Sequence, residues 1–111
     1  LDIAAFTVKG YMDESNKCEA LGESAIVAYN DPNWQVRFYK EGSNLMLEWT
    51  DKRVTPPIVT TRTVIRTLGS LSIEDDLAGH PDAKLVTISV TDGTLTKTTS
   101  FRVKLRNFYN L

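Results

Sequence analysis

The sequence has little of what several functional classes require, with a single cysteine, a single histidine and no long apolar run. One cysteine, Cys18, excludes an intrachain disulfide and any multi-cysteine metal site. No stretch approaches the roughly 20 apolar residues of a membrane-spanning helix, and no signal peptide is visible. The chain begins with Leu1 rather than Met, so we expect a processed or shortened chain from which a targeting or membrane segment is missing.

The sequence also has no large excess of positive or negative charge. The 13 Lys and Arg residues nearly balance the 14 Asp and Glu residues, which leaves a net charge of -1. This balance provides no electrostatic footprint for nucleic acid or for an anionic membrane surface, so neither is predicted as a partner. With 111 residues, of which 41% are hydrophobic, the chain is predicted to form a single globular domain over residues 1–111.

The residue sets that catalysis uses are not apparent in the sequence. His80 lies in an acidic loop with no nucleophile motif nearby, and Cys18 next to Lys17 has no histidine implied as its partner. There is no phosphate-binding glycine loop, no dinucleotide fingerprint and no paired-cysteine zinc spacing. We therefore predict a protein that is not an enzyme and has no catalytic or cofactor-binding residues.

An acidic cluster before the last two strands is the only group with metal-binding chemistry. Asp75, Asp76 and Asp82, together with Glu74, could supply carboxylate oxygens to Ca²⁺, which takes six to eight oxygen ligands. Their spacing matches no known calcium loop. We keep these three aspartates as a calcium candidate and favour the alternative of a solvated acidic turn.

The clearest structural pattern is a hairpin near the C-terminal end. The runs on either side of Asp92-Gly93 alternate apolar and polar residues, the period of two that a half-buried strand requires. Asp-Gly favours the tight primed turn of a hairpin. The predicted core positions of the two arms are Val86, Ile88, Val90, Phe101, Val103 and Leu105.

The rest of the chain divides into one helix and several strands. Residues 1–14 place apolar side chains at three- and four-residue spacing, which predicts an amphipathic helix, and its start without a cap is typical of a helix cut out of a longer one. The polar residues 13–22 predict a loop. Antiparallel strands are predicted within residues 24–107, at 25–29, 34–39, 45–49, 58–67, 71–74 and in the two hairpin arms.

These elements predict an α+β domain in which the N-terminal amphipathic helix packs on an antiparallel sheet of about six strands. The helix stripe would cover the apolar face that a sheet of this kind cannot leave exposed. The alternative is an all-β Ig-like sandwich, in which the first hairpin covers the second.

Aromatic and terminal residues are the candidates for contacts with other proteins. Trp34 and Trp49 share the parity of the core positions and are predicted to pack inside, whereas Tyr39 lies on the outward parity. The apolar C-terminal end is expected to pack back or to contact a neighbour. The predicted interaction residues are Leu1, Ala4, Val8, Tyr39 and Tyr109.

Three parts of the sequence together resemble a known family. They are the amphipathic opening, the segment TTRTVIRTLGSLSI at residues 60–73, and the ending Val103-Lys104-Leu105-Arg106-Asn107. The chain resembles the globular part of a minor pilin or pseudopilin of the type IV pilus and type II secretion class. In that family the opening is the second half of a long first helix, the segment is similar to the strand after a variable region, and the ending is close to v-x-L-R-N.

The resemblance implies a non-enzymatic structural subunit of a type IV pilus or type II secretion pseudopilus. Its partners would be other pilin or pseudopilin subunits, and it would lie in the cell envelope or outside the cell. A hydrophobic N-terminal helix, absent from these residues, would anchor it in the membrane before assembly. The alternative is an extracellular Ig-like or cadherin-like adhesin module, because residues 85–93 followed by threonine-rich alternation also resemble bacterial adhesin repeats.

Overall fold

A computed structural model of the chain describes residues 2–20, 25–77 and 80–105, with side chains described except at position 2 and at positions 75–81. One helix, α1 (Asp2–Asp13), precedes the strands. The strands are β1 (Lys17–Ala20), β2 (Ala25–Asn30), β3 (Trp34–Glu41), β4 (Asn44–Asp51), β5 (Ile58–Ile65), β6 (Leu68–Leu77), β7 (His80–Asp92) and β8 (Leu95–Lys104). No helix within these ranges is long and apolar enough to cross a membrane.

The strands form two antiparallel sheets rather than one. The larger sheet has the order β1-β2-β3-β4-β5 and the smaller one has the order β6-β7-β8. The predicted α+β class, with a helix on a single sheet of about six strands, is therefore wrong, because the described chain is essentially all-β with one short helix. The chain changes sheets after Ile65, where Leu68 N donates a hydrogen bond to Ser43 O.

The order of the strands also separates this fold from an Ig-like sandwich. Each strand is hydrogen-bonded to the strand that precedes or follows it in the sequence, so both sheets are simple meanders. An immunoglobulin sandwich uses Greek-key connections that place non-consecutive strands side by side. The all-β class of the alternative prediction agrees with the structure, whereas its Ig-like connectivity does not.

A single apolar core joins the helix and both sheets. Strand β6 of the smaller sheet packs on β1, β2 and β3, and α1 contacts β5 of the larger sheet and β8 of the smaller one. Ala4, Val8 and Met12 of α1 are fully buried in this core. Their spacing of four residues places them on one face of the helix, as the amphipathic pattern predicts.

Alternation in the strands predicts their buried face well. In β3 and β4 the side chains of Trp34, Val36, Phe38, Leu45 and Leu47 are buried, and their neighbours of opposite parity are half-buried or exposed. Trp49 has the same parity as the buried set but is only half-buried, at the margin of the core. In the hairpin of β7 and β8, four of the six predicted core positions are buried, and the other two are half-buried. The half-buried pair is Val90 and Phe101.

Several strand boundaries differ from the sequence prediction. Besides β1 and the start of β6, β6 extends to Leu77 and β7 begins at His80, so most of the acidic stretch predicted as a loop is strand. Lys17–Ala20 was predicted as part of a loop, but it forms β1 because it pairs with β2, with Cys18 opposite Ala28. Strand β6 begins at Leu68 and continues through Gly69, where a bulge interrupts the register with β7. A Cβ atom at Gly69 would lie 2.8 Å from the Ser89 hydroxyl oxygen, so glycine permits this close approach.

Candidate functional site

The cysteine is placed where its thiol is inert. Cys18 is buried in β1, and burial raises the pKa of its thiol to about 12, although a hydrogen bond with Ser15 and the charge of Lys84 act in the opposite direction. A thiol needs its ionised form to act as a nucleophile. Cys18 is therefore a packed core residue. His80 begins β7, and its side chain lies outside the described residues.

We expect Cys18 to react very slowly with a thiol reagent in the folded protein. With the pKa at about 12 instead of 9, the thiolate fraction at pH 8 falls by about 10³. Labelling with a chromogenic disulfide at pH 8 should be slow in buffer and fast in urea. Equal rates in both would mean that the thiol is accessible and ionised in the folded state.

The calcium candidate is described only in part. The side chains of Asp75 and Asp76 lie outside the described residues, and Asp82 is half-buried near the start of β7, with its carbonyl accepting a hydrogen bond from Leu105 N. Among the described side chains, no three His, Cys, Asp or Glu residues lie close enough together to hold a metal ion. The three aspartates remain a prediction.

The predicted interaction residues fall into three groups. Leu1 and Tyr109 lie outside the described residues. Ala4 and Val8 are fully buried, so their side chains contact the sheets and not the surface. Tyr39 on β3 is half-buried, with the Arg37 guanidinium carbon 4.2 Å from the centre of its ring.

Among the described residues, the most exposed large apolar side chains lie on the outer side of α1. Phe6 is 81% exposed and Ile3 is 69% exposed. Together with exposed Gly10 they occupy positions three and four residues apart, so they share one face of the helix, which we call the outer stripe. A helix that buries one face in its own core while exposing phenylalanine and isoleucine on another is typical of an interaction surface.

A cluster of aromatic side chains packs between this helix and the larger sheet. The centre of the Tyr11 ring lies 5.6 Å from the ring centre of Trp49 and 5.9 Å from that of Phe38. Trp34 stacks on Trp49 with 4.8 Å between their ring centres. These contacts fix α1 on the larger sheet. A depression of about 280 Å³, the aromatic depression, opens between the helix and β5 and is lined by Tyr11, Leu47, Trp49, Thr60, Thr61 and Arg62.

A second depression adjoins the first and extends along the helix. It has a volume of about 260 Å³ and shares Tyr11 and Arg62 with the aromatic depression. We call it the helix depression, and its lining consists of Phe6, Thr7, Gly10, Tyr11, Glu14 and Arg62. Because Phe6 and Gly10 line it together with Arg62, these two residues of the outer stripe border the space between the helix and β5.

The segment that contains β5 carries charge of one sign. Residues 52–73 contain four Lys and Arg residues and no Asp or Glu. Two of the four form ion pairs, Lys52 with Asp31 at 2.8 Å and Arg53 with Asp51, two residues before it, at 3.0 Å. The hydrogen bonds from Arg53 hold the pKa of the Asp51 carboxyl below its ordinary value. Arg62 lines both depressions.

The outer stripe is the feature that the sequence analysis missed. The predicted helix stripe included Leu1, Ala4 and Val8 and passed over Ile3 and Phe6, whose side chains lie on another face. The available signal was the presence of large apolar residues between the positions of the buried stripe. A helix that has only one partner face normally carries polar residues there.

Comparison with known proteins adds no relative to these observations, because no family model, no curated protein and no solved structure matches the chain.

Proposed function

We propose that this chain is the globular part of a non-enzymatic structural subunit, similar to a minor pilin of a type IV pilus or a pseudopilin of type II secretion. It assembles by protein–protein contacts with other subunits of the same class. It acts in the cell envelope or outside the cell, and its attachment to the membrane runs through a hydrophobic helix that would precede α1.

The observation that carries this proposal is the double use of α1. One face, with Ala4, Val8 and Met12, is fully buried against the sheets, and a different face exposes Ile3 and Phe6. The first contact holds the helix on its own domain, and the second leaves an apolar surface for a neighbouring subunit. Burying a phenylalanine side chain contributes about 1.5–3 kcal/mol, enough for one residue to dominate a contact.

The depressions beside α1 support a binding role more than a catalytic one. They are shallow, and their lining combines aromatic and aliphatic side chains with the hydroxyls of Thr60 and Thr61 and the single cation Arg62. No nucleophile and base pair lines either of them. An amphipathic helix placed next to an apolar floor suits a protein partner.

The segment encoded immediately upstream of Leu1 provides the most direct test. We expect a short basic leader, a cleavage site, and an apolar stretch of about 20 residues with a glutamate near its start, continuous with α1. A preceding folded domain, or another copy of the same strand pattern, would contradict the proposal and would indicate a module of a larger adhesin.

A second test measures assembly directly. In the full-length precursor expressed with its own assembly system, Phe6→Asp should lower the amount of subunit recovered in sheared filaments by about tenfold, because it places a charge on the outer stripe. Leu95→Asp is the matched control, since Leu95 is 67% exposed in the smaller sheet, near the β7–β8 turn. Equal incorporation of both variants would contradict a role for α1 in assembly.

A further inference from the structure

We propose that the chain pairs with a second copy of itself through the edge of β5, with the outer stripes of the two α1 helices meeting above the joined strands. The contact is twofold symmetric and antiparallel, and it turns two five-stranded sheets into one sheet of ten strands. This inference deepens the proposed function by naming the partner of the same helix face.

Within the described part of the chain, the outer edge of β5 has no partner strand and lacks most of the features that protect an edge strand. Among the described residues β5 pairs only with β4, and the six residues Ile58–Thr63 are all exposed. Unpaired edges are templates for another strand, and proteins usually block them with lysine, proline or bulges. Here Pro56 and Pro57 precede the strand and a bulge follows Thr63, so the protecting features flank this stretch and leave it open.

The sequence of β5 suits pairing with itself in a register centred on Thr61. A twofold axis perpendicular to the sheet leaves every side chain on the face of the sheet where it already lies. Residues opposite each other across the contact must then have the same parity, so one residue lies opposite its own copy. Placing Arg62 on the axis would set two guanidinium groups against each other, which is destabilising. Placing Thr61 there gives the pairs Thr61 with Thr61, Thr60 with Arg62 and Val59 with Thr63 of the second copy, and the pairing ends before the bulge at Val64.

The same axis brings the outer stripes together. Phe6 and Gly10 line the helix depression with Arg62, so this part of the outer stripe lies next to β5. Because the axis preserves faces, the second helix lies on the same side of the joined sheet, across β5 from the first. Phe6 of each copy would then close the groove over the paired strands. One contact covers the open edge and the exposed phenylalanine at once, which is why a second copy is favoured over a partner that engages only one of them.

The dimer and the filament would form at different stages. A twofold contact is closed, whereas a filament needs contacts that continue from subunit to subunit. The outer stripe cannot serve both at the same time. The dimer would therefore precede assembly, and this part of the inference rests on the proposed function, although the dimer itself does not require it.

Cysteine cross-linking tests the register. Thr61→Cys places a thiol opposite its own copy, within reach of a disulfide on oxidation with diamide. Thr63→Cys is the matched control, exposed on the same face two residues away but opposite Val59 in the proposed register. We expect at least about tenfold more cross-linked dimer for the first variant on a non-reducing gel. Equal cross-linking of the two variants would overturn the register. Buried Cys18 is not expected to compete.

Sedimentation of the 111-residue chain tests the dimer itself. We expect a concentration-dependent dimer between about 1 μM and 1 mM. Thr61→Lys should raise the dissociation constant by at least about tenfold, because it sets two ammonium groups opposite each other. In the monomer the new lysine lies next to Glu48 of β4, so folding should be preserved. Thr98→Lys on exposed β8 should leave the dimer unchanged.

The outcomes separate this inference from the proposed function. A chain that stays monomeric over this range, or a dimer that Thr61→Lys leaves intact, would overturn the inference even if the upstream leader and the filament incorporation are found. A dimer with the predicted cross-link, in a protein whose gene encodes no such leader, would overturn the filament proposal and retain the β5 contact.

Discussion

Replacing Phe38 with alanine is expected to lower the free energy of unfolding by about 3–5 kcal/mol. Phe38 lies in the middle of β3, with no exposed surface, and pairs with Ile26 of β2 on one side and Leu47 of β4 on the other. Tyr11 of the helix contacts its ring at 5.9 Å. The substitution removes a large side chain at the junction of the helix and the sheet, where the rigid neighbours can fill the space only in part.

Urea unfolding followed by tryptophan fluorescence measures this effect, since Trp34 and Trp49 lie in the same cluster. Phe6→Ala is the matched control, because it makes the same chemical change at a side chain that is 81% exposed, and it should stay within about 0.5 kcal/mol of the unchanged protein. A small effect at Phe38 would mean that its side chain is not in the core, and an equally large effect at Phe6 would mean that its side chain is not on the surface.

The buried face of each strand could be predicted from the sequence because its signal is local. Alternation along β3 and β4 identified one inward face, and its members are buried except Trp49, which is half-buried: Trp34, Val36, Phe38, Leu45, Leu47 and Trp49. The period of two depends only on the pleat of the strand. Phe101 and Val90 fit less well, since both lie on the predicted parity but are half-buried.

The division into two sheets could not be predicted in the same way. Propensity in residues 58–67 indicated extended structure, but nothing in that run marks where the chain leaves one sheet for the other. The change depends on tertiary contacts, such as the hydrogen bond from Leu68 N to Ser43 O and the packing of β6 on β1, β2 and β3. The α+β prediction was wrong because it placed all of these strands in one layer.

Strand β1 illustrates the same limit on a smaller scale. Its four residues, with Lys17 and Glu19, have little intrinsic preference for a strand. They are extended because β2 offers a partner edge, which places Cys18 in the core opposite Ala28. The candidate site could not be predicted from the sequence for a related reason, because the position of the outer stripe beside Arg62 depends on where α1 rests on the sheet.

Replacing Val8 with aspartate should destabilise the protein by at least about 4 kcal/mol at neutral pH. Val8 is fully buried in the core cluster that joins α1 to the sheets, so the new carboxylate would have to lose its hydration. Phe6→Asp, two residues away on the outer stripe, keeps its carboxylate in water and should have little effect. The comparison measures how firmly the inner face of α1 is held on the sheets.

The dependence on pH separates the charge from the loss of packing. Burial favours the neutral form, so the pKa of the new carboxyl would be raised in the folded state above its unfolded value of about 3.9. The folded state then binds the proton more tightly than the unfolded state, and the penalty is full above the raised pKa. It shrinks as the pH falls through that value and its charged part disappears below about 3.9. Val8→Asn, similar in shape but unable to ionise, should show a pH-independent cost. The free energy of unfolding of both variants can be measured with urea between about pH 3.5 and pH 8. If it changed with pH in the same way for both, the carboxylate would be reaching water. The helix α1 would then be free to leave the sheets and expose its inner face to a partner.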